Sequence, residues 1–512
     1  MTVDKYLSKI LGTIINKNRR IILAMKETNE KKSAGYSSPY EFEGRIPLSQ
    51  AIPLGLQHVM AMFIGNLTPL IIVMGVCGLT ADAGFSELRT ALLQNAMIIA
   101  GIVTLVQMFS IGPVGGKVPI VMGTSSGFLG VLNNTVTACG GGIIAYGAIM
   151  GACLGGIFEG ILGAFLKPLR KFFPPIVTGS VVIAIGLSLL GVGINYFCGG
   201  SGKADYGSLP NLFLGFVVLI VIVLLKHFAP QNSIFSSSAI LFGILAGYIV
   251  AVIMTFVLPN TGVDADGAKY TYSWVVNFSQ VKDAAWIAIP SFMGFGALSD
   301  VKMSFQASAI IPIGIMFIVT AIETVGDISA CIEGGMDREA TDTELSGGVI
   351  CDGLGSAFAA FFGVLPNTSF SQNVGLVSMT KVVNRFAISM GAIFLILCGF
   401  CPKIGAIMSI MPQSVLGGAA VMMFASILIS GIQLITKEPI GSREITIISV
   451  AIGLGYGLGA TTGATAHLPY YIQLIFGGSG IVPCSLAAII LNILLPKESK
   501  SVRKMWDIDE ED

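Results

Sequence analysis

The chain has 512 residues; 29 are Lys or Arg and 29 are Asp or Glu, so 11% are charged and the formal net charge is zero. An ordinary soluble protein carries about 25% charged residues. With 54% hydrophobic residues and a mean hydropathy of +0.82, the composition excludes a soluble enzyme, a disordered chain and a nucleic-acid binder, and leaves an all-α polytopic membrane protein.

Residues 1–50 hold nine basic residues. The apolar stretch 6–25 is interrupted by Lys9, Lys17, Arg19 and Arg20, and no small-residue cleavage site follows. It reads as a cytoplasmic amphipathic helix on the membrane surface, or as a poorly ordered tail, and not as a signal peptide.

A spanning helix needs about 20 apolar residues. Fourteen candidate spans follow, at 53–76, 90–111, 118–133, 143–166, 175–193, 210–226, 236–258, 309–331, 346–364, 370–383, 386–401, 413–433, 444–459 and 469–496. The last is interrupted near Gly477–Gly480. With both termini placed in the cytoplasm, 23 of the 29 basic residues lie inside, and only Arg89, Lys203, Lys269, Lys282, Lys302 and Lys403 lie outside. That asymmetry supports an even number of spans. The longest loop, 259–308, is too short for a catalytic or signalling domain.

Two spans are too short to cross alone. Residues 118–128 read VPIVMGTSSGF and residues 364–374 read VLPNTSFSQNV. Each has a proline, a Thr/Ser run and then a glycine, Gly127 or Gly375. They are the third spans of two seven-span halves, and because seven is odd the halves must be inverted. Matched, interrupted spans in inverted repeats point to a transporter's substrate site. Irregular backbone in a bilayer persists only when it is buried in protein or lines a polar cavity. A half-helix starting at mid-membrane also offers free N–H groups to a polar or anionic solute.

Five ionisable residues fall within spans: His58, Glu159, Glu323, Asp327 and Asp352. A charge at the bilayer centre costs roughly 3 kcal/mol or more, so each is a functional candidate. Glu323 and Asp327 share one helical face at i, i+4. Two carboxylates about 6 Å apart in low dielectric do not both ionise easily. One is expected to carry a proton near neutral pH, which suits a proton-coupled carrier. Asp352, followed by Gly353 and Gly355, either orients the broken span beside it or takes part in function. An orienting role is expected for His58, and a helix-packing or interfacial one for Glu159. Cys398 and Cys401 form a C-x-x-C with no second pair and no neighbouring His, so the nine cysteines are read as packing residues and no metal or other cofactor is expected.

Gln372, Asn373, Gly375 and Thr380, in QNVGLVSMTK, resemble the signature of the nucleobase–ascorbate transporter family. GLQHVMAMF around His58, the Thr124-Ser125-Ser126 run, Glu323, Asp-Gly-Leu-Gly at 352–355 and PQSVLGGAAVMMF at 412–424 fall where that family has its marks. The resemblance covers roughly residues 45–496.

The resemblance implies a 7+7 inverted-repeat fold with short strands in spans 3 and 10. Core segments would be 51–166 and 309–401, gate segments 167–258 and 402–496, with an extracellular loop at 259–308 and a cytoplasmic tail at 497–512. It implies a homodimer in the plasma membrane that imports purine bases by cation symport, with the core moving like an elevator. The co-transported cation would be a proton, with sodium as the alternative. Glu323 and Gln372 would hold the ring edge, and Asn373 the start of the half-helix. Ser125 and Ser126 would line the site and Phe128 would stack on the base. His58, Asp327, Asp352, Gly375 and Thr380 would support or couple the site. Gln372, where uracil carriers tend to have Glu, favours xanthine or uric acid over uracil. An anion carrier of the same fold is the different class to weigh; an acidic, amide-lined site argues against it.

Overall fold

The structure is a computed structural model describing residues 37–496, apart from 81–83, 167–173, 201, 231–233, 264–268, 438, 462, 466, 470–471, 474–475 and 477–479 and the side chains of residues 61, 234, 237, 280, 372 and 379. The expected surface helix at the N-terminus, the basic turn at 167–171, the break at 477–479 and the C-terminal tail lie outside the described residues.

A helix stands at each expected span. In chain order these are α1 (Leu48–Val76), α2 (Ser86–Phe109), α3 (Leu129–Ala138), α4 (Gly142–Cys153), α5 (Gly156–Ala164), α6 (Pro175–Phe197), α7 (Leu209–Phe228) and α8 (Ala239–Val257). The second half holds α9 (Ala307–Met336), α10 (Asp342–Phe361), α11 (Ser371–Thr380), α12 (Arg385–Gly399), α13 (Pro402–Ser409), α14 (Gln413–Ile435), α15 (Ser442–Ala460) and α16 (Ile481–Leu494). Among the described residues eight helices are long and apolar enough to cross a membrane, with α4 and α5 counted as one (Gly142–Ala164), or nine if α12 and α13, which meet at 82°, form one span. The other expected spans fall on shorter, broken or less apolar helices.

Local chemistry sets the boundaries. Thr341 and Glu344 form a capping box at the start of α10: Glu344 N–H donates to Thr341 Oγ1 at 3.3 Å, and Thr341 N–H donates to Glu344 Oε2 at 2.9 Å. Asn384 caps α12 by accepting from Ala387 N–H at 3.0 Å, a contact worth about 1 kcal/mol. Pro402 ends the path of α12 and begins α13, where its missing N–H is not needed.

Two broken segments supply a short antiparallel ribbon. Strand β1 (Met122–Thr124) pairs with β4 (Asn367–Ser369) through Met122–Ser369, Gly123–Thr368 and Thr124–Asn367. All six residues are buried. The two segments are far apart in sequence, yet each strand satisfies the other's backbone groups, which neither could do alone in a bilayer. Two further bonds extend the pairing, from Ser125 N–H to Pro366 O at 2.7 Å and from Phe370 N–H to Val121 O at 3.1 Å. Helices α3 and α11 leave from the ends of these strands.

The helices pack in two groups. One contains α1–α5 and α9–α13; the other contains α6–α8 and α14–α16. Small residues permit the close approaches, as they do between membrane helices generally. A side chain at Gly353 on α10 would meet Gly156 O and Gly160 N of α5 at 2.4 Å. A side chain at Gly417 on α14 would meet Phe197 N of α6 at 2.0 Å. The residues 259–308 are not a free loop. Strands β2 (Thr261–Val263) and β3 (Lys269–Thr271) form a hairpin, Trp274 is buried, and Asp205 accepts from Ser273 N–H and Oγ–H, both at 2.8 Å.

Candidate functional site

The ribbon positions the site. Helix α9 runs past it and presents Thr320, Glu323, Thr324 and Asp327, all buried. Asp327 accepts from Ser369 Oγ at 2.7 Å and from Ser371 Oγ at 2.9 Å and 3.0 Å. It ties the end of β4 to the start of α11. Asp352, fully buried on α10, accepts from Thr324 Oγ and, at 3.5 Å, from Thr368 Oγ. It stands behind the ribbon and joins α9, α10 and β4.

Glu323 differs from these two. Its Oε2 is buried with no protein partner, and so is Ser125 Oγ. Both atoms converge on Gly127, where a methyl group would lie 3.4 Å from each. Glu323 lines a small cavity with Gly65, Thr124, Ser126, Thr368, Ser369, Phe370, Ser371, Met423 and Ile427. Its walls come from both helix groups, because Met423 and Ile427 belong to α14. The cavity holds only about 20 Å³, enough for about one water molecule. A cleft of about 640 Å³ reaches the same place from one face of the protein, lined by Asp327, Glu333, Ser371, Gly375, Gln433 and Lys437 among others. Clefts of that size admit small ligands. Ser371 lines both spaces, so the cleft ends at the cavity's rim. At its mouth Lys437, just past the end of α14, pairs with Glu333 of α9 at 2.6 Å, bridging the two groups.

The remaining sequence candidates take clear places. Asn373 Nδ2 donates to His58 O at 3.0 Å, fastening α11 to α1; Asn373 Oδ1 and His58 Nδ1 are buried without a partner. Gly375 is exposed on the cleft. Thr380 closes α11, its Oγ donating to Leu376 O at 2.8 Å, and Lys381 follows in the left-handed region at φ 58°. Phe128 is fully buried against Phe317, edge to face, with centroids 5.0 Å apart. Gln372 stands in the first turn of α11, and its side chain lies outside the described residues. Glu159 on α5 is fully buried, its Oε1 accepting from Thr320 Oγ at 3.1 Å.

Sequence reasoning passed over Asn66, Phe370, Met423 and Ile427. Asn66 Oδ1 accepts from Thr124 N–H at 2.8 Å and Oγ–H at 3.0 Å, and its Nδ2 donates to Ala96 O at 3.1 Å, so it holds β1 in place. An amide in the middle of an apolar span was a signal, but only ionisable groups had been considered. The other three are ordinary apolar residues, and nothing in the sequence marks them as cavity walls. Among the described residues no group of three His, Cys, Asp or Glu could hold a metal ion, and all nine cysteines are free thiols.

A multi-pass helical bundle with a buried polar pocket between two helix groups defines a membrane permease. The family profile described as "Permease family" matches residues 49–463. The chain is 36% identical over 488 residues to the provisionally named purine permease CPE0397 of Clostridium perfringens, covering 95% of this chain and 99% of that one. It is 33% identical to the xanthine permease of Bacillus subtilis (90% and 97% covered) and 32% identical to the uric acid permease PucK of Bacillus subtilis (86% and 95% covered). Among solved structures it is similar to the transmembrane domain of the cyanobacterial bicarbonate transporter BicA, with a TM-score of 0.50 and 15% identity over 88% of this chain and 98% of that one. It is also similar to SLC26A9, with a TM-score of 0.54 and 12% identity over 87% and 65%. These two show the fold alone. The chain belongs to the nucleobase–ascorbate transporter family of permeases, and is a transporter, not an enzyme.

Proposed function

We propose that this protein imports xanthine and uric acid across the plasma membrane by proton symport. The observation that carries this reading is the pair of unpartnered buried polar atoms, Glu323 Oε2 and Ser125 Oγ, that converge on Gly127. A buried polar atom without a partner costs about 1–3 kcal/mol, which a hydrogen-bonding ligand relieves. An oxopurine brings ring N–H donors for the carboxylate and carbonyl acceptors for a hydroxyl. Gln372, by resemblance, adds an amide that reads a lactam edge from both sides. Phe370 lines the cavity and suits a planar base; Phe128 is the stacking ring that the resemblance implies. The matched relatives named for xanthine and uric acid support the same class.

In this reading α1–α5 and α9–α13 form the core, and α6–α8 and α14–α16 the gate. All fourteen segments count as spans, both termini are cytoplasmic, and the protein works as a homodimer. The cleft beside Lys437 then opens to the cytoplasm, and the core slides against the gate between inward- and outward-facing states. The anion-carrier reading is less favoured, because the described cavity lining holds a carboxylate and no Lys or Arg.

A competition panel of xanthine, urate, hypoxanthine, guanine and uracil against labelled xanthine tests the substrate class. Xanthine and urate should compete best and uracil least. Gln372→Glu should weaken xanthine and urate by roughly tenfold, the value of one mismatched hydrogen bond. An unchanged inhibition profile in that variant would remove Gln372 from recognition.

The Lys437–Glu333 pair tests the motion. Both side chains are partly exposed, so the pair itself is worth only about 0–1 kcal/mol. Lys437→Glu should change the rate modestly, and adding Glu333→Lys should restore it. Joining Glu333→Cys to Lys437→Cys with a short bifunctional thiol reagent should arrest transport until the link is cut. Full transport with the link intact would show that these groups do not move apart.

A further inference from the structure

Glu159 lies on α5, bonded to Thr320 of α9, and is fully buried. Helix α5 packs on α10 and α9. The titratable groups nearest Glu159 from these helices are both acidic: Asp352, whose partner Thr324 stands one turn of α9 beyond Thr320, and Glu323 in that same turn. It takes part in none of the described ion pairs. Its place is fixed by glycine contacts: a side chain at Gly353, next to Asp352, would meet Glu159's carbonyl carbon at 2.9 Å.

The hydrogen bonds indicate its protonation state. Thr320 Oγ lies 3.1 Å from Glu159 Oε1, 3.2 Å from Met316 O and 3.3 Å from Phe317 O. A hydroxyl has one proton, and an ionised carboxylate can only accept. Glu159 Oε2 is buried with no partner at all. An ionised Glu159 would thus have one shared donor, no counter-charge and two acidic neighbours. A neutral acid resolves this: its O–H donates to Thr320 Oγ, and the Thr320 proton goes to the Met316 carbonyl.

We propose that Glu159 is a proton-bearing residue of the coupling machinery, acting on the substrate site through Asp352 and Glu323. This rests on the proton-symport reading and deepens it. The step moves one proton. The Glu159 O–H bond breaks, its electron pair stays on the carboxylate, and the proton ends on the carboxylate of Asp352 or Glu323. The vacancy originates at Glu323, which lines the cavity and has just released its own proton there. Three acids within one low-dielectric shell then share fewer protons than they have sites, and occupancy of the substrate site decides which is filled.

The test uses the full-length protein in proteoliposomes with radiolabelled xanthine. Glu159→Gln keeps the size and the donor to Thr320 but cannot release a proton. It should still exchange internal for external xanthine and lose accumulation driven by a pH gradient. Its exchange rate should lose the wild type's pH dependence. Glu159→Asp, which restores a transferable proton, should recover accumulation in part. Wild-type accumulation and an unaltered pH profile in Glu159→Gln would overturn the proposal. So would loss of exchange and accumulation together with no recovery in Glu159→Asp, which marks a packing role. Wild-type vesicles that respond to a sodium gradient and not to a pH gradient would overturn the symport reading itself.

Discussion

Glu323→Gln should abolish concentrative uptake while the protein still reaches the membrane. Glu323 is the carboxylate that lines the cavity with an oxygen left without a protein partner. Gln keeps the shape and one acceptor, but replaces a charge-assisted hydrogen bond with a neutral one and cannot take up a proton. Losing a bond to a charged group lowers affinity by about 1.5–3 kcal/mol, or roughly ten- to a hundredfold. Labelled xanthine uptake in cells, beside surface labelling for membrane content, checks this. Normal accumulation in the variant would remove Glu323 from both binding and coupling. Asp327→Asn is the internal comparison. Its oxygens are engaged by Ser369 and Ser371, so its loss acts through the position of α11.

Gly123→Val should destroy transport by a different route. A side chain at Gly123 would lie 2.7 Å from Met62 Cε and from Phe370 Cε2, and 2.8 Å from Asn66 Oδ1. The two carbons belong to flexible or ring side chains, but Asn66 is fixed by Thr124 and Ala96. Relief requires β1 to move away from β4, and the ribbon carries the site. Overpacking of this kind costs about 1–3 kcal/mol. Loss of xanthine binding, with a lowered melting temperature in detergent, is the expected outcome. Gly453→Ala, where a new side chain meets nothing within 4 Å, should leave both unchanged. Wild-type binding in Gly123→Val would show that the ribbon tolerates displacement.

The broken spans were legible because their sequence breaks a strong rule. Long apolar runs do not need proline followed by Thr, Ser and Asn, so VPIVMGTSS and VLPNTSFSQ stand out against the pattern. The same holds for Glu323, Asp327 and Asp352, which are conspicuous because charge is scarce. The extra half-helix α13 was not legible as a separate piece. Its start is an ordinary proline, and its 82° bend depends on packing against α2. Asn66 was visible but uncharged, and Met423 and Ile427 carry no local signal.

The sequence by itself determined the solvent of this protein, its inverted halves and the short roll of residues that bear charge inside the membrane. Those follow from transfer energies and periodicity, which are local properties. Only the tertiary structure decided how the acids differ. Asp327 is held by two serines, Asp352 lies behind the ribbon with Thr324, Glu159 shares the hydroxyl of Thr320, and Glu323, which lines the cavity, keeps one buried oxygen without a protein partner. That division depends on which donors reach each carboxylate, and those donors come from segments 28 to 161 residues away in sequence.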